Sequence, residues 1–406
     1  MEWKEVRLGD VCEIYGRIGF RGYTTNDLVD TPKEGAISLS PKNIINGELN
    51  LEQCTYIKWD KYYESPEIMI NPNEIIITKT GSSVGRTTFV RRVVHPMTLN
   101  PQLVVLKNIS ENAEFLSYYI KSAFFQSVLK SIVVGSAIPT LSQKNLANLI
   151  INVPKEVDDQ HRITSILSSL DRKIELNNKI NADLEEMAQA IFKNWFVDFE
   201  PFKDGKFVDS ELGMIPEGWK VGTLGDITKN KSAKVKERND VKVLSPVTTG
   251  ELVLSEEYFT KQVFSSSIAK YKIVNKGDFA YNPARVNIGS LGRNEFDFDG
   301  CVSPVYVVFS VIDGYENYFD LFRKTDFFKD SVASLAIGGV RQSLSYDDLS
   351  SIEVIIPSEN AVEEFNNLYN QMKKTIKANK LENSRLSTLR DTLLPRLMSG
   401  ELEVPE

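Results

Sequence analysis

Cysteine and histidine are scarce in this sequence, and their scarcity excludes several kinds of site. The 406 residues include three cysteines, Cys12, Cys54 and Cys301, and two histidines, His95 and His161. The cysteines are odd in number, far apart and outside any Cys-x-x-Cys motif, which argues against a disulfide framework and a cysteine zinc site. Two histidines leave little material for histidine metal sites or Ser–His–Asp triads. We therefore predict a cytoplasmic chain without a metal.

Long apolar runs are also missing. No uncharged apolar run approaches the ~18 residues that a membrane span needs, and residues 1–7 lack the apolar core of a signal peptide. Hydrophobic residues still make up 42% of the chain and charged residues 25%, which is the composition of a globular protein of two or three domains. The net charge of −7 argues against a simple basic nucleic-acid binder, although an acidic protein can present a local basic face.

An internal repeat is the strongest pattern in the sequence. Short strings from the first half return in the same order in the second half. The pairs are Trp3-Lys4 with Trp219-Lys220, Leu8-Gly9-Asp10 with Leu224-Gly225-Asp226, Ser40-Pro41 with Ser245-Pro246, Gly47-Glu48-Leu49 with Gly250-Glu251-Leu252, and Leu141-Ser142 with Leu344-Ser345. Their shared order indicates a duplicated module with small loop insertions, and chance similarity of short strings is the alternative.

Each copy of the module divides into a globular part and a long helix. Short runs rich in β-branched, aliphatic and aromatic residues predict strands in the globular part, and one helix is expected at 114–131 and again at 315–335. Apolar residues at heptad spacing then predict long helices over 158–196 and 358–394. The fold class is therefore α/β. The predicted segments are two globular domains, 1–154 and 217–357, two long helices, 155–200 and 358–406, and a linker, 201–216.

Asparagines interrupt the apolar seam of both long helices at equivalent positions, Asn177 and Asn181 in the first and Asn379 and Asn383 in the second. A buried asparagine needs a polar partner, so it weakens a coiled coil but fixes its register. In an antiparallel pair Asn177 faces Asn383 and Asn181 faces Asn379, and the two domains lie at opposite ends. We predict this antiparallel coiled coil. The alternatives are a helix packed only on its own domain and solvated asparagines where the helices diverge.

No catalytic constellation is visible in the sequence. Residues 81–87 are similar to a phosphate loop, but they are one residue short and have Arg86 where that motif needs lysine. Two tetrapeptides, 100–103 and 282–285, are similar to the Asn-Pro-Pro-aromatic motif of amino-methyltransferases, but both lack the second proline and the aromatic ring. We therefore predict a binding scaffold with no catalytic residue, no metal and no cofactor.

Four strings, together with the repeat and the long helices, resemble the specificity subunit of type I restriction–modification systems. They are Trp3-Lys4-x-x-x-Leu8-Gly9-Asp10, Phe192-Lys193-Asn194-Trp195-Phe196-Val197-Asp198-Phe199-Glu200-Pro201, Gly213-Met214-Ile215-Pro216-Glu217-Gly218-Trp219, and Leu393-Leu394-Pro395-Arg396-Leu397-Met398-Ser399-Gly400-Glu401-Leu402. The resemblance covers the whole chain. Together, the last three strings are specific.

The resemblance implies a function in DNA recognition. Each globular repeat would be a target-recognition domain that reads one half of a bipartite, non-palindromic site in double-stranded DNA. The helices would be the spacer and the platform for two methyltransferase subunits, which carry the S-adenosylmethionine chemistry. Whether restriction subunits join them stays open. A stand-alone DNA-binding regulator and an enzyme with an unrecognised site are the alternatives.

The residues that contact DNA must come from the chemistry of the loops, because they do not carry over from the resemblance by name. Arginine and amide side chains read base edges, whereas lysine and hydroxyl side chains serve phosphates. The candidates in the polar, basic loops are Arg17, Arg21, Lys79, Thr80, Ser82, Ser83, Arg86, Arg91, Asn282, Arg285, Asn287, Arg293, Arg341 and Gln342. Ordinary solvated surface is the alternative for any single one of them.

An aromatic cluster ends the first long helix and is too rich for one face of a two-helix coil. Its members are Phe192, Trp195, Phe196 and Phe199. We predict a docking surface for a methyltransferase subunit, since a two-helix coil leaves apolar surface exposed. The alternative is packing against the adjacent domain.

Overall fold

Residues 1–135, 138–259, 261–335 and 343–404 of the chain are described by a computed structural model. The contacts divide the chain into two units, Met1–Asn177 with Lys380–Glu406, and Asn178–Asn379. The division passes through both long helices, so each unit holds one globular repeat and part of each long helix. It therefore differs from the predicted segments, which keep each long helix whole. No helix among the described residues is both long and apolar enough to cross a membrane.

The first repeat is built from short strands and short helices. Its strands are β1 Trp3–Arg7, β2 Glu13–Tyr15, β3 Leu28–Val29, β4 Gly35–Leu39, β5 Ile44–Ile45, β6 Glu48–Leu49, β7 Tyr56–Lys58, β8 Ile75–Thr78, β9 Thr87–Phe89, β10 Met97–Leu99, β11 Leu103–Lys107 and β12 Ile150–Pro154. Its helices are α1 Leu8–Val11, α2 Trp59–Tyr63, α3 Ala113–Lys121, α4 Ala123–Ser131 and α5 Gln143–Ala147, and the first long helix, α6 Val157–Phe196, follows.

The second repeat is built from the same kinds of element, with ten strands among its described residues where the first has twelve. Its strands, with two short ones that precede it, are β13 Phe207–Val208, β14 Ile215–Pro216, β15 Lys220–Thr223, β16 Thr228–Lys231, β17 Lys242–Pro246, β18 Leu252–Leu254, β19 Lys272–Val274, β20 Phe279–Tyr281, β21 Leu291–Arg293, β22 Gly300–Val302, β23 Val307–Val311 and β24 Glu353–Ile356. Its helices are α7 Leu224–Ile227, α8 Ser255–Tyr258, α9 Glu316–Phe322, α10 Asp326–Leu335, α11 Tyr346–Ser350 and the second long helix, α12 Glu359–Met398.

The two repeats share the strand order of one sheet and two of their other strand pairs. One four-stranded sheet has the order β2-β11-β8-β9 in the first repeat and β16-β23-β20-β21 in the second. In the other sheet, the parallel pair β10–β4 corresponds to the parallel pair β22–β17. The antiparallel pair β1–β12 corresponds to β15–β24. The predicted mixed α/β fold is confirmed.

Alternation along the central strands explains the layers of each repeat. Ile75 and Ile77 of β8 join a core with α3 and α4, whereas Ile76 joins a core with β4 and β10 of the other sheet. Successive strand residues point to opposite faces, so this sheet is covered on both sides and its isoleucines are fully buried. In the second repeat, Phe279 and Ala280 of β20 divide between two cores in the same way.

The helix predicted at 114–131 is two helices, which corrects the sequence analysis. Ser122 is extended (ψ 146°) between α3 and α4, and its hydroxyl accepts a hydrogen bond from the Phe125 amide. In the second repeat the Thr325 hydroxyl accepts from Phe328 between α9 and α10. Serine and threonine favour this N-cap position, so a hydroxyl residue breaks the helix at the equivalent place in both copies.

The second long helix continues past Leu394, where the heptad pattern predicted its end. Pro395 lies inside α12, which ends at Met398 rather than near Leu394. Leu397 and Met398 are buried in the core of the first unit, and this burial outweighs the backbone hydrogen bond that a proline removes.

The seam asparagines are bonded to one another within each unit. In the first unit the Asn177 Nδ2 donates to Asn383 Oδ1 at 2.9 Å and to Glu382 Oε2 at 2.7 Å. In the second unit the Asn379 Nδ2 donates to Asn181 Oδ1 at 2.9 Å. Asn177 and Asn181 are buried, so these bonds to the other long helix replace contacts with water, while the buried Asn177 Oδ1 has no hydrogen-bond partner among the described residues.

Candidate nucleic-acid interface

The loop between β8 and β9, residues 79–86, is shaped by two glycines. Gly81 (φ +100°) and Gly85 (φ +90°) adopt left-handed backbone conformations that favour glycine. The Gly85 amide donates to the Thr78 carbonyl at 2.9 Å, and Thr78 donates to the Arg86 carbonyl at 2.8 Å. The backbone is thus fixed at the base of the loop, while Ser82 and Arg86 are exposed at the surface.

Two further segments hold this loop from either side. The Lys79 amide donates to the Gln102 carbonyl at 2.8 Å, and the Gly81 amide donates to the Pro139 carbonyl at 3.0 Å. A bridge between Thr80 and Thr140 adds to the second contact. Three segments, 79–86, 100–102 and 138–141, therefore meet at one edge of the first repeat.

Lys79 is half-buried at this edge, and burial lowers the pKa of its ammonium group. Within the part of the chain that the structure describes, no carboxylate forms an ion pair with Lys79. A partly desolvated ammonium without a carboxylate is well suited to a phosphate oxygen. Ser82 and Ser83 carry hydroxyl groups in the same loop, and Thr80 follows Lys79 in the sequence.

The equivalent loop of the second repeat, residues 282–290, joins β20 to β21. Its backbone closes through hydrogen bonds from Asn282 to the Ser290 carbonyl at 3.1 Å and from Ser290 to the Arg285 carbonyl at 3.1 Å. Val286 anchors the loop in the core, and Arg285 and Asn287 are exposed. The two loops share their place in the sheet, but their arginines differ in position, since Arg86 ends one loop and Arg285 lies early in the other.

Arg17 is not available to DNA, which corrects its prediction as a contact. Only 4% of the residue is exposed. Its Nε donates to the Leu99 carbonyl at 2.8 Å and its Nη2 to the Thr98 hydroxyl at 3.1 Å. Since all these partners belong to the same repeat, Arg17 stabilises the fold at the end of β10. A buried arginine cannot be told from an exposed one by sequence alone.

Two further arginines turn away from the loops. Arg91 is paired with Glu114 on α3. Arg293 donates to Asn317 Oδ1 of α9 at 3.0 Å and lies over the Phe279 ring. Both side chains therefore connect the sheet to the helices behind it, and neither belongs to the candidate interface.

The remaining predicted contacts have varied surroundings. Arg21 is partly exposed and lies 3.4 Å from Glu67. Arg341 and Gln342 lie outside the described residues.

No group of three or more histidine, cysteine, aspartate or glutamate side chains in the described ranges could hold a metal ion.

The aromatic cluster of α6 is packed against the second repeat, which corrects its prediction as an open docking surface. Phe192 and Phe196 are 3% and 5% exposed. Their rings lie 5.4 Å and 5.1 Å from the Tyr318 ring, between centroids. Trp195 and Phe199 are partly buried against the same core. The sequence pattern indicated the aromatic surface but not what covers it.

An open apolar groove of about 810 Å³ borders this cluster within the second unit. Val197 and Phe327, each 51% exposed, line it. Lys193, Lys324 and Lys329 line it as well. Glu186 and Asp326 line it too, so the groove combines an apolar floor with charged side chains of both signs.

A buried ion pair near the loops of the second repeat was missed by the sequence analysis. Arg323 Nη2 lies 2.7 Å from Asp320 Oδ1 and 3.0 Å from the Gly250 carbonyl, and its Nη1 donates to the Leu291 carbonyl at 2.8 Å. In the first repeat Lys121 donates to the equivalent carbonyl, that of Gly47, at 3.1 Å. A cationic side chain at the end of α3 in the first repeat, and of α9 in the second, thus binds the carbonyl of the equivalent turn.

The comparisons with known proteins agree with one another. Residues 1–186 match the family model described as "Type I restriction modification DNA specificity domain". The chain is 26% identical to the Type I restriction enzyme MjaIX specificity subunit of Methanocaldococcus jannaschii, over 100% of this chain and 94% of that one. It is 23% identical to the Type I restriction enzyme HindI specificity subunit of Haemophilus influenzae, over 99% of this chain and 100% of that one.

A solved structure has a similar fold. It is the crystal structure of a type I restriction–modification S subunit from M. genitalium, with a TM-score of 0.58 and 16% sequence identity over 100% of this chain and 96% of that one. The resemblance predicted from the sequence is confirmed.

Proposed function

We propose that the chain is a specificity subunit of a type I restriction–modification system, which recognises a bipartite, non-palindromic site in double-stranded DNA and positions methyltransferase subunits there. The observation that carries this proposal is the pair of loops 79–86 and 282–290. Both follow the equivalent strand of the equivalent sheet, yet their side chains differ. A shared framework with unlike loops suits two half-sites of unlike sequence.

The chemistry of the two loops fits a division between positioning and reading. Lys79, Ser82 and Ser83 offer donors to phosphate oxygens, which fix the protein on the duplex without reading sequence. Arg86 and Arg285 are exposed guanidinium groups that suit the O6 and N7 acceptors of guanine. In this proposal the chain itself catalyses nothing, and the methyl transfer belongs to its partners.

The DNA target tests the proposal. Methylome sequencing of the host should find a methylated motif of two short, unlike sequences separated by a gap, with half-site centres about 10 base pairs apart. The motif should disappear when this gene alone is deleted and return when it is supplied on a plasmid. A continuous motif, or methylation that does not depend on the gene, would contradict the proposal.

Replacing Arg86 or Arg285 with alanine should weaken DNA binding without unfolding the chain, because both side chains are exposed. A bidentate contact to guanine predicts a loss of about 1–3 kcal/mol and relaxed specificity at one position. A phosphate contact predicts a salt dependence that is shallower by about one unit. Fluorescence anisotropy with a target duplex over a range of salt concentrations separates these cases.

Arg7→Ala is the matched control, since Arg7 is exposed at the end of β1 and outside both loops. Its affinity and salt dependence should equal those of the wild type. Unchanged binding by both loop variants would move the recognition surface elsewhere on the repeats.

We also propose that α6 and α12 form an antiparallel coiled coil as the spacer between the recognition domains. Within the first unit, Asp171 contacts Arg390 and Asn177 contacts Asn383. Rising numbers on α6 thus meet falling numbers on α12. The bond between Asn181 and Asn379 in the second unit continues the register, and these bonds support the proposal.

Cysteines at Leu184 and Ile376 test that pairing. In the antiparallel register the two side chains share a layer of the second unit, so a Leu184→Cys, Ile376→Cys variant should form a disulfide on mild oxidation. Non-reducing gel electrophoresis measures it. The single variants are controls for the three native cysteines. A disulfide in a Leu184→Cys, Leu386→Cys variant instead would indicate parallel helices.

The groove beside Phe199 is the surface that we propose for a methyltransferase subunit. The buried rings of Phe192 and Phe196 cannot form the docking surface. In the groove, by contrast, Val197 and Phe327 leave half of their surface exposed. An apolar floor with charged residues at its edge is the composition of a protein interface.

A further inference from the structure

We infer that one β-turn in each repeat carries a base-reading side chain, Gln102 in the first repeat and Val305 in the second. This inference rests on the proposed function and assigns specificity to two residues outside the predicted set of contacts. In the first repeat the turn belongs to the tetrapeptide 100–103, which lacks the residues of a methyltransferase motif.

The two turns are equivalent in their backbones. The first joins β10 to β11 and closes through the Leu103 amide, which donates to the Asn100 carbonyl at 3.2 Å. The second joins β22 to β23 and closes through the Tyr306 amide, which donates to the Ser303 carbonyl at 3.0 Å. Each turn has a proline, Pro101 or Pro304, at its second position, which proline favours. Gln102 and Val305 therefore occupy the same third position.

Both turns lie beside the polar loops. In the first repeat the Gln102 carbonyl accepts from the Lys79 amide, and the Gln102 Nε2 lies 3.8 Å from the place where a Cβ on Gly81 would be. In the second repeat Tyr281 pairs with Val307, so the turn borders the start of the loop 282–290. The turn and the loop thus form one edge in each repeat.

Gln102 has the hydrogen-bond donor and acceptor that recognise an adenine. Its side chain is exposed, and the Asn100 Nδ2 donates to its Oε1 at 3.2 Å. The Asn100 Oδ1 also accepts from the Gln102 amide at 2.9 Å, which fixes the turn. The Oε1 has a second lone pair for the adenine N6 amino group, and the Nε2 can donate to N7.

Val305 offers a different chemistry at the same point. It is 72% exposed, a larger fraction than that of any other large hydrophobic side chain in the described ranges. Ile288, 54% exposed, belongs to the neighbouring loop 282–290. An aliphatic side chain in the major groove recognises the methyl group of thymine, so we assign Val305 to a thymine.

The contrast between the two residues favours DNA over a protein partner. A partner that docks on both repeats in the same way needs similar side chains at equivalent points. An amide at one turn and an aliphatic group at the other suit two half-sites that differ in sequence. The backbone sets the position, and the third residue of the turn sets the base.

Variants in the complete complex test the assignment in cells. Methylome sequencing with Gln102→Ala should show relaxed recognition at one adenine of one half-site, while Val305→Ala should relax one thymine of the other. Gln53→Ala and Val263→Ala are matched controls, since both residues are exposed and lie outside the turns and loops. Their motifs should equal that of the wild type.

Single-atom changes in the target duplex test the contacts themselves. With the wild-type complex, 7-deazaadenine at the adenine should weaken binding about tenfold, and uracil at the thymine should weaken it about fourfold, as expected for one buried methyl group. Gln102→Ala should be insensitive to the first change and Val305→Ala to the second. Melting temperatures equal to that of the wild type establish that both variants fold.

The outcomes separate this inference from the proposed function. A gapped, gene-dependent motif that neither variant alters would overturn the assignment of the turns and leave the function intact. Relaxation of both half-sites by one variant would overturn it as well. The absence of any gene-dependent, gapped motif would overturn the proposed function and the inference together.

Discussion

Purified alone, the chain should neither methylate nor cleave DNA, and methylation should appear only when a methyltransferase subunit is added. The thiols illustrate why. Burial raises the pKa of Cys12 to about 12 and that of Cys301 to about 11, so neither is a thiolate nucleophile near neutral pH. The buried carboxylate of Asp320 is already engaged by Arg323. The proposed function therefore assigns the catalytic groups to a partner.

Transfer of a labelled methyl group from S-adenosylmethionine to a target duplex measures this dependence. Activity should rise from background to its full value and level off at two methyltransferase subunits per chain, with the ratio checked by light scattering. Transfer or cleavage by the chain alone would falsify the non-catalytic assignment. Saturation at one subunit would contradict the two-subunit stoichiometry that the resemblance implies.

Phe327→Asp should reduce the methyl transfer that this chain and the methyltransferase subunit achieve together. The substitution places a charge on the apolar floor of the proposed docking groove. Tyr258→Asp is the matched control, because Tyr258 is similarly exposed in the same unit but does not line the groove. Both variants should bind DNA by themselves as the wild type does. Full stimulation of Phe327→Asp would place the docking surface elsewhere.

Replacing Asp320 with asparagine should lower the free energy of unfolding of the second unit by about 3–5 kcal/mol. Breaking a buried ion pair leaves one charge without its partner, and Arg323 is as deeply buried as Asp320. The guanidinium also holds the Gly250 and Leu291 carbonyls, so its displacement would loosen the loops at the candidate interface. Urea denaturation monitored by circular dichroism measures the loss.

The exposed pair Asp326–Lys329 is a matched control, because it has the same three-residue spacing. Asp326 is 93% exposed in its side chain, and exposed ion pairs contribute little. Asp326→Asn should therefore unfold as the wild type does. Equal effects of the two variants would mean that burial does not determine the strength of the Asp320–Arg323 pair.

The effect of Asp320 should also depend on pH. Burial by itself raises the pKa of this carboxyl, but Arg323, Lys324 and Lys373 lower it below the ordinary 3.8. A lowered pKa in the folded state stabilises the fold above the unfolded pKa, and the stabilisation is lost as the pH falls toward the folded value. The difference in the free energy of unfolding between the wild type and Asp320→Asn should be constant above about pH 5 and should become smaller in stronger acid.

The sequence predicted the framework of each repeat better than its surface. Short β-branched runs and heptad patterns are local, so the strand-rich globular parts and both long helices were predicted, the helices to within a few residues. Arg17 and Phe192 were misjudged because their burial depends on contacts with residues distant in sequence. The segment 100–102 was not predicted as a turn, although Pro101 between polar residues is a turn signal. Arg341 and Gln342 stay predictions.

The discontinuity of the first unit governs the order in which the two units can be completed during synthesis. Leu397 and Met398 belong to the core that contains β12 and α3, and Met1 lies beside Glu403. The first repeat emerges early, but this part of its core stays uncovered until the end of the chain is made, on the order of 10 s or more later at ~5–20 residues per second. The second unit, Asn178–Asn379, is one continuous stretch and has all of its residues sooner. The repeat that is translated first is therefore the one whose unit is finished last.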